Sequence, residues 1–162
     1  MAYKLSSVFC LLVCLLVLPA GLSASQIKPI LELKTPPEGV VIEIITDDED
    51  GMEWVVPKVE RMVQQLRQRF PGLDVAIVSH GAEMFAMLEN ESKNYSEVHQ
   101  GVQSLMKDNN VELYVCGTYA GWQGHEEDDF PSYVNVAAVA PAQINDYLNL
   151  GYELIVIGDE ND

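Results

Sequence analysis

The chain is short of cysteine and of positive charge. It holds three cysteines, Cys10, Cys14 and Cys116, in 162 residues. Nine Lys and Arg stand against 25 Asp and Glu, a formal net charge of −16. A field of that sign repels phosphate backbones and anionic lipid, so neither a nucleic-acid partner nor a membrane surface is expected. The apolar run Val8–Leu18 is too short to span a bilayer and is soon followed by polar chain. What remains is compatible with solubility and with cationic partners.

Lys4, the apolar run and the small residues of Gly21–Ala24 have the layout of a secretory signal peptide over residues 1–24. Cleavage is expected after Ala24. Neither Cys10 nor Cys14 follows the small residue that a lipidation box needs, so the expected product is a soluble periplasmic or secreted protein. Loss of the leader leaves 138 residues, enough for one domain with a substantial core. It also removes Lys4 and two cysteines, so eight bases face 25 acids, a charge of −17. Cys116 then has no internal disulfide partner. It is reactive, buried and inert, metal-bound or paired between chains.

Residues 25–39, with Pro29, Pro36 and Pro37, read as a linker lying extended over the surface. The domain is expected over 40–158, followed by an acidic tail, 159–162. Val40–Ile45 is apolar at nearly every position, as strands covered on both faces are. The acidic loop Thr46–Gly51 fails as a calcium loop, because a count that places Gly51 sixth puts Pro57 at the twelfth position, where a carboxylate is required. Trp54–Phe70 has one apolar face at helical spacing and stops at Pro71-Gly72. Asp74–Ser79 is a second strand, Glu83–Leu88 a short helix, and Asn94 with Glu97 a capping pair for the next helix. On that helix His99 falls outside the apolar stripe and is expected to be solvated. Val134–Ala140 is a weak strand, Pro141 opens a helix ended by Gly151, and Glu153–Ile157 is the last strand. Strands alternating with helices predict an α/β fold: a mainly parallel five-stranded sheet with helices on both faces.

Val111–Gly124 is the centre of interest. Val111 to Cys116 reads as a buried strand, and Gly117, Gly121 and Gly124 mark the following stretch as a loop around Tyr119 and Trp122. A thiol is thereby placed at the carboxyl end of a parallel strand, where open α/β sheets bind ligands.

The strand-terminal Val115-Cys116-Gly117, the Ser79-His80-Gly81 turn and the ending PAQINDYLNLGYELIVI together resemble the DsrE/DsrF-like family of sulfur relay and intracellular sulfur oxidation, in its exported members. The resemblance spans Val40–Ile157. It implies a three-layer α/β/α sandwich that assembles into homo- or hetero-oligomers and carries sulfur as a cysteine persulfide, at the position matched by Cys116. It also implies a sulfur donor or acceptor, either a protein or a small thiol. Better-known relatives are cytoplasmic, unlike a chain with a leader, and Glu126–Asp129 is unlike a surface that meets transfer RNA.

A persulfide carrier needs a thiolate and a shielding loop. Cys116 and His80 are the candidate catalytic residues, His80 as hydrogen-bond partner or proton acceptor. Gly117, Gly121, Trp122 and His125 are candidates for the substrate pocket. Each has a plainer reading: a buried structural thiol, a turn histidine, and aromatics that cover a core edge or an oligomer contact. A soft metal site of Cys116, His80 and His125 matches no compact motif, so neither metal nor cofactor is expected. Asn90-Glu91-Ser92 and Asn94-Tyr95-Ser96 match the glycosylation sequon, which is meaningless in a bacterial protein. The reading taken is a sulfur carrier; the alternatives are a non-catalytic oligomeric binding module of the same fold and an exported metal-binding protein.

Overall fold

The computed structural model describes residues 23–107 and 111–159, with side chains from Gln26 onward. Residues 1–22 of the expected leader, Cys10, Cys14 and residues 160–162 of the expected tail lie outside them.

Five strands form one all-parallel sheet: β1 (Gly39–Ile44), β2 (Asp74–Ser79), β3 (Val111–Cys116), β4 (Asn135–Ala137) and β5 (Tyr152–Ile157). Their spatial order is β4-β3-β2-β1-β5, so the first strand lies between the second and the last. The helices are α1 (Ser23–Leu31), α2 (Met52–Arg69), α3 (Ser96–Met106), α4 (Gly117–Trp122) and α5 (Ala140–Asn149), with 3-10 turns at Ala82–Met87, Glu89–Glu91 and Glu127–Asp129. Helices occupy both faces, as the alternation of elements requires.

Strand alternation sorts the core into two layers. Val40, Ile42, Ile44, Ile77, Leu113 and Ile155 lie on one side of the sheet and are buried. Above them pack Val55, Val59, Met62 and Leu66 of α2 and Val98, Val102 and Leu105 of α3. On the other side lie Val41, Glu43, Ala76, Val78, Glu112, Tyr114 and Cys116, facing α5. Tyr147 of α5 donates to Glu112 Oε2 at 2.6 Å and sits edge-on to Tyr114. Gly39 is required here. A Cβ on it would fall 2.3 Å from the Tyr152 ring.

The linker expected over 25–39 is helical at its start. Ile27 and Ile30, one turn apart in α1, are buried against α2 and β5, so this stretch belongs to the core. Pro29 is tolerated within α1 because its fixed φ suits a helix, although it forfeits one backbone bond. In α2, Pro57 is the sixth residue, past the first turn, and both it and Glu53, whose carbonyl it cannot meet, are exposed. Asn94 caps nothing: α3 starts from Tyr95 without a side-chain cap, and Asn94 Nδ2 donates instead to Glu91. The weak fourth strand keeps only three residues.

His99 is buried, not solvated. Its Nε2 donates to the Ala86 carbonyl at 3.1 Å, which leaves Nδ1 to accept from the Tyr133 hydroxyl. The ring therefore ties α3 to the 3-10 turn after β2 and to the segment before β4. A polar side chain off the apolar stripe was buried because two partners from distant segments satisfied it.

Burial first, and then the hydrogen bond to Glu112, hold the Tyr147 hydroxyl protonated far above its ordinary value of 10.0. Tyrosines of the unfolded chain ionise near that value. As pH rises past about 10, the unfolded chain therefore releases protons that the fold retains, and stability is lost. Urea midpoints should fall from that pH upward, and Tyr147→Phe should flatten the fall while costing about 1 kcal/mol at neutral pH.

Candidate functional site

The carboxyl edge of the sheet is built around Glu83, a fully buried acid in the 3-10 turn after β2. Its Oε2 accepts from the Thr46 backbone N–H at 2.9 Å and from Thr46 Oγ1 at 3.3 Å. Its Oε1 accepts from Ser79 Oγ at 2.7 Å and from the Gly81 N–H at 3.1 Å. One carboxylate thus pins the chain leaving β1 to the chain leaving β2. Gly81 must be glycine, since a Cβ there would lie 2.2 Å from Glu83 Oε2 and 2.3 Å from the Thr46 carbonyl.

That clamp fixes where His80 begins. Its N–H donates to the Ile44 carbonyl, continuing the β1–β2 ladder, and its ring turns to the α5 side of the sheet. There Nε2 lies 2.8 Å from Glu43 Oε1, with 13% and 21% of the two side chains exposed. A carboxylate only accepts, so Nε2 carries a proton. Glu43 is the one charged residue of β1 and was not anticipated from the sequence.

Cys116 is the next position along. Ser79, the last residue of β2, pairs with Val115, so His80 and Cys116 are the residues that follow that pair on the two adjacent chains. Glu43 on β1, His80 just past β2 and Cys116 at the end of β3 all fall on the α5 face, with Glu43 in register with Val78, two residues before His80. Cys116 is 6% exposed, and its thiol makes no hydrogen bond among the described residues.

The glycine loop expected after Cys116 is a helix. Cys116 is the residue before α4, and Thr118 anchors that helix by donating from both N–H and Oγ1 to the Ala138 carbonyl beyond β4. Gly117 is a packing glycine: a Cβ would meet Val136 Cγ1 at 3.0 Å. Gly121 faces open space, and Gly124, at φ +86°, turns the chain after α4. Tyr119, Phe85 and His125 stack in a separate aromatic group. The Phe85 ring lies 5.4 Å from each of the others, and His125 Nδ1 is 3.6 Å from Asp129. Trp122 lies edge-on to Tyr119 and is 78% exposed. No described contact joins this group to Cys116. Among the described residues, no three His, Cys, Asp or Glu are grouped as metal ligands, and no helix is long and apolar enough to cross a membrane. A groove of about 520 Å³ between α2 and α3, lined by Glu53, Glu60, Tyr95 and Glu97 among others, lies away from Cys116 on the opposite face.

A profile of the DsrE/DsrF-like family matches residues 51–157. The chain belongs to the DsrE/DsrF-like family. Two solved structures share the fold. One, titled a protein of unknown function, MTH1491, from Methanobacterium thermoautotrophicum, is 18% identical with a TM-score of 0.59, over 73% of this chain and 97% of that one. The ychN protein from E. coli is 14% identical with a TM-score of 0.52, over 74% of this chain and 99% of that one. No curated protein matches. DsrE-like membership makes this a sulfur-relay-type fold, with Cys116 at the carboxyl end of its third strand.

Removing the clamp leaves three donors, Thr46 N–H, Ser79 Oγ and Gly81 N–H, without their acceptor, while Thr46 Oγ1 keeps the Asp48 carbonyl. Glu83→Ala should cost about 3 kcal/mol or more in urea unfolding, and Glu83→Gln less, because one oxygen survives. His99→Ala, which orphans the Tyr133 hydroxyl and the Ala86 carbonyl, should cost about 2 kcal/mol by the same measurement.

Proposed function

We propose that this protein is exported and accepts sulfane sulfur on Cys116, handing it on as a persulfide to a protein or small-thiol acceptor. The observation that carries this reading is the place of Cys116 at the carboxyl end of β3, where it and His80 each follow the Ser79–Val115 pair, with His80 Nε2 held by Glu43. That is the order of a nucleophile, its base and the group that orients the base. Export is supported by Lys4 and the apolar Val8–Leu18.

In the step proposed, His80 takes the Cys116 proton. The sulfur then attacks the outer sulfur of a donor persulfide, R–S–SH. A Cys116 S–S bond forms, the donor S–S bond breaks, and the departing thiolate takes the proton held on His80. Transfer to an acceptor thiol runs the same exchange in reverse, with no net redox change. The acid-rich segments Asp47–Asp50 and Glu126–Asp129 around this edge disfavour a polyanionic acceptor such as RNA.

Mass spectrometry of protein incubated with a small persulfide donor should show one added sulfur on Cys116, and Cys116→Ser should gain none. His80→Gln and Glu43→Gln should retain the fold and load sulfur more slowly, the former by about 100-fold. Edman sequencing of the exported form should begin at Ser25.

The 6% exposure of Cys116 favours a second reading, a binding module with a sealed structural thiol. Under it no sulfur is gained, alkylation is slow in every variant, and Cys116→Ala costs only about 1 kcal/mol of stability.

A further inference from the structure

The groove between α2 and α3 takes no part in the chemistry proposed for Cys116. It encloses about 520 Å³, within the range of small-molecule sites. Buried Met52, Val56 and Val98 give it an apolar floor, and Pro57 an apolar wall. Gly101 is the last α3 residue in its lining. A Cβ there would lie 2.5 Å from Val56 Cγ1, so the missing side chain is what lets α3 come this close to α2. The same point is 3.7 Å from Glu60 Oε1, which sets that carboxylate beside the glycine. Along α2 the lining runs from Met52 to Glu60, about 12 Å at 1.5 Å per residue.

Charge says what fits there. Every charged residue of the lining is acidic: Glu53 and Glu60 two turns apart on α2, and Glu97 on α3. None of these three carboxylates makes a hydrogen bond or ion pair among the described residues. Lys58, next to Pro57 in the chain, is engaged elsewhere, 5.5 Å from the centroid of the Trp54 ring. Tyr95 also lines the groove and donates to Asp50 Oδ1 at 2.7 Å. That bond first, then burial and the charges of Asp50, Glu91 and Glu53, push its hydroxyl up to about 12. Tyr95 is therefore a neutral ring set among acids, a surface that attracts cations. Like charges gathered without a counter-charge cost free energy, and a cation of the right shape recovers it.

Spacing decides between cations. Glu53 and Glu60 are seven residues apart, about 10 Å along the helix axis, too far for one metal ion to ligate both. Between them lies the apolar stretch of Val56 and Pro57. We propose that this groove binds a linear aliphatic polyamine, its ammonium groups on Glu53, Glu60 and Glu97 and its methylenes along Val56 and Pro57. A chain of that kind reaches both ends and buries its apolar middle, and a compact cation does neither. The site lies on the sheet face opposite Cys116 and stands whether or not that thiol carries sulfur.

Calorimetric titration of the purified protein with spermidine, at about 0.1 M salt, tests it. Hexaamminecobalt(III), which has the same charge and no methylenes, is the control. Spermidine should bind at one site, about tenfold or more tighter than the cobalt complex. Glu60→Gln and Glu97→Gln keep side-chain size and should each weaken it by about tenfold, and Tyr95→Leu by about threefold. Glu127→Gln, in the other acidic run, should leave it unchanged, and circular dichroism should show every variant folded. The amide resonances of Tyr95 and Gly101 should move on addition of spermidine. No binding overturns the proposal. So does equal binding of the two cations, or equal loss in Glu127→Gln, which would mean attraction to net charge alone. Tighter binding of tetralysine than of spermidine overturns it too, and would give the groove to a basic protein segment.

Discussion

A buried carboxylate is costly unless every lone pair it presents is met, and Glu83 meets that condition with donors from two separate crossovers. The consequence is geometric. Thr46, two residues past β1, and Ser79, the last residue of β2, both reach the same group, and Gly81 lets the chain pass close enough for its own N–H to join them. The position of His80, one residue after Ser79, is therefore inherited from an interaction in which it takes no part. Its ring then has one place to go, the α5 face, where Glu43 waits inside an otherwise apolar strand.

The Glu43–His80 pair depends on that placement. A strand that carries Glu43 among Val41, Ile42 and Ile44 places a charge on the α5 side of the sheet. It is kept from being an orphan by His80, and both side chains remain partly exposed. An arrangement fully covered by helix would have required a drier, more exactly matched pair.

Much of the fold was legible because buried parallel strands announce themselves. Val40–Ile45, Asp74–Ser79 and Glu153–Ile157 each fall within a residue of the strands found, and Cys116 ends its strand as read. The site was half legible. His80 and Cys116 stood out by type and by their place after apolar runs. Glu43 had a visible signal, a lone acid within VVIEII, that was not weighed. Glu83 had none, since its role depends on Thr46, 37 residues away in sequence. The helix α4 was hidden by two glycines in six residues, which lower helix propensity, while the bond that holds it comes from Ala138. Pro29 hid α1 in the same way, and the burial that rescues it is tertiary. Local preference lost in each case to a partner distant in the chain.

The strand order has a kinetic meaning. β1 occupies an inner position in the sheet, yet one of its two neighbours is β5, so Gly39 meets its partner Tyr152 only after nearly all of the chain exists. Until then the inner strand has a bare edge, and the nascent chain has no finished core to fall into. Such long-range closure makes folding slow. Under the export proposed above, late completion would keep the chain open for threading through a narrow channel, a delay set by which strand lies beside which.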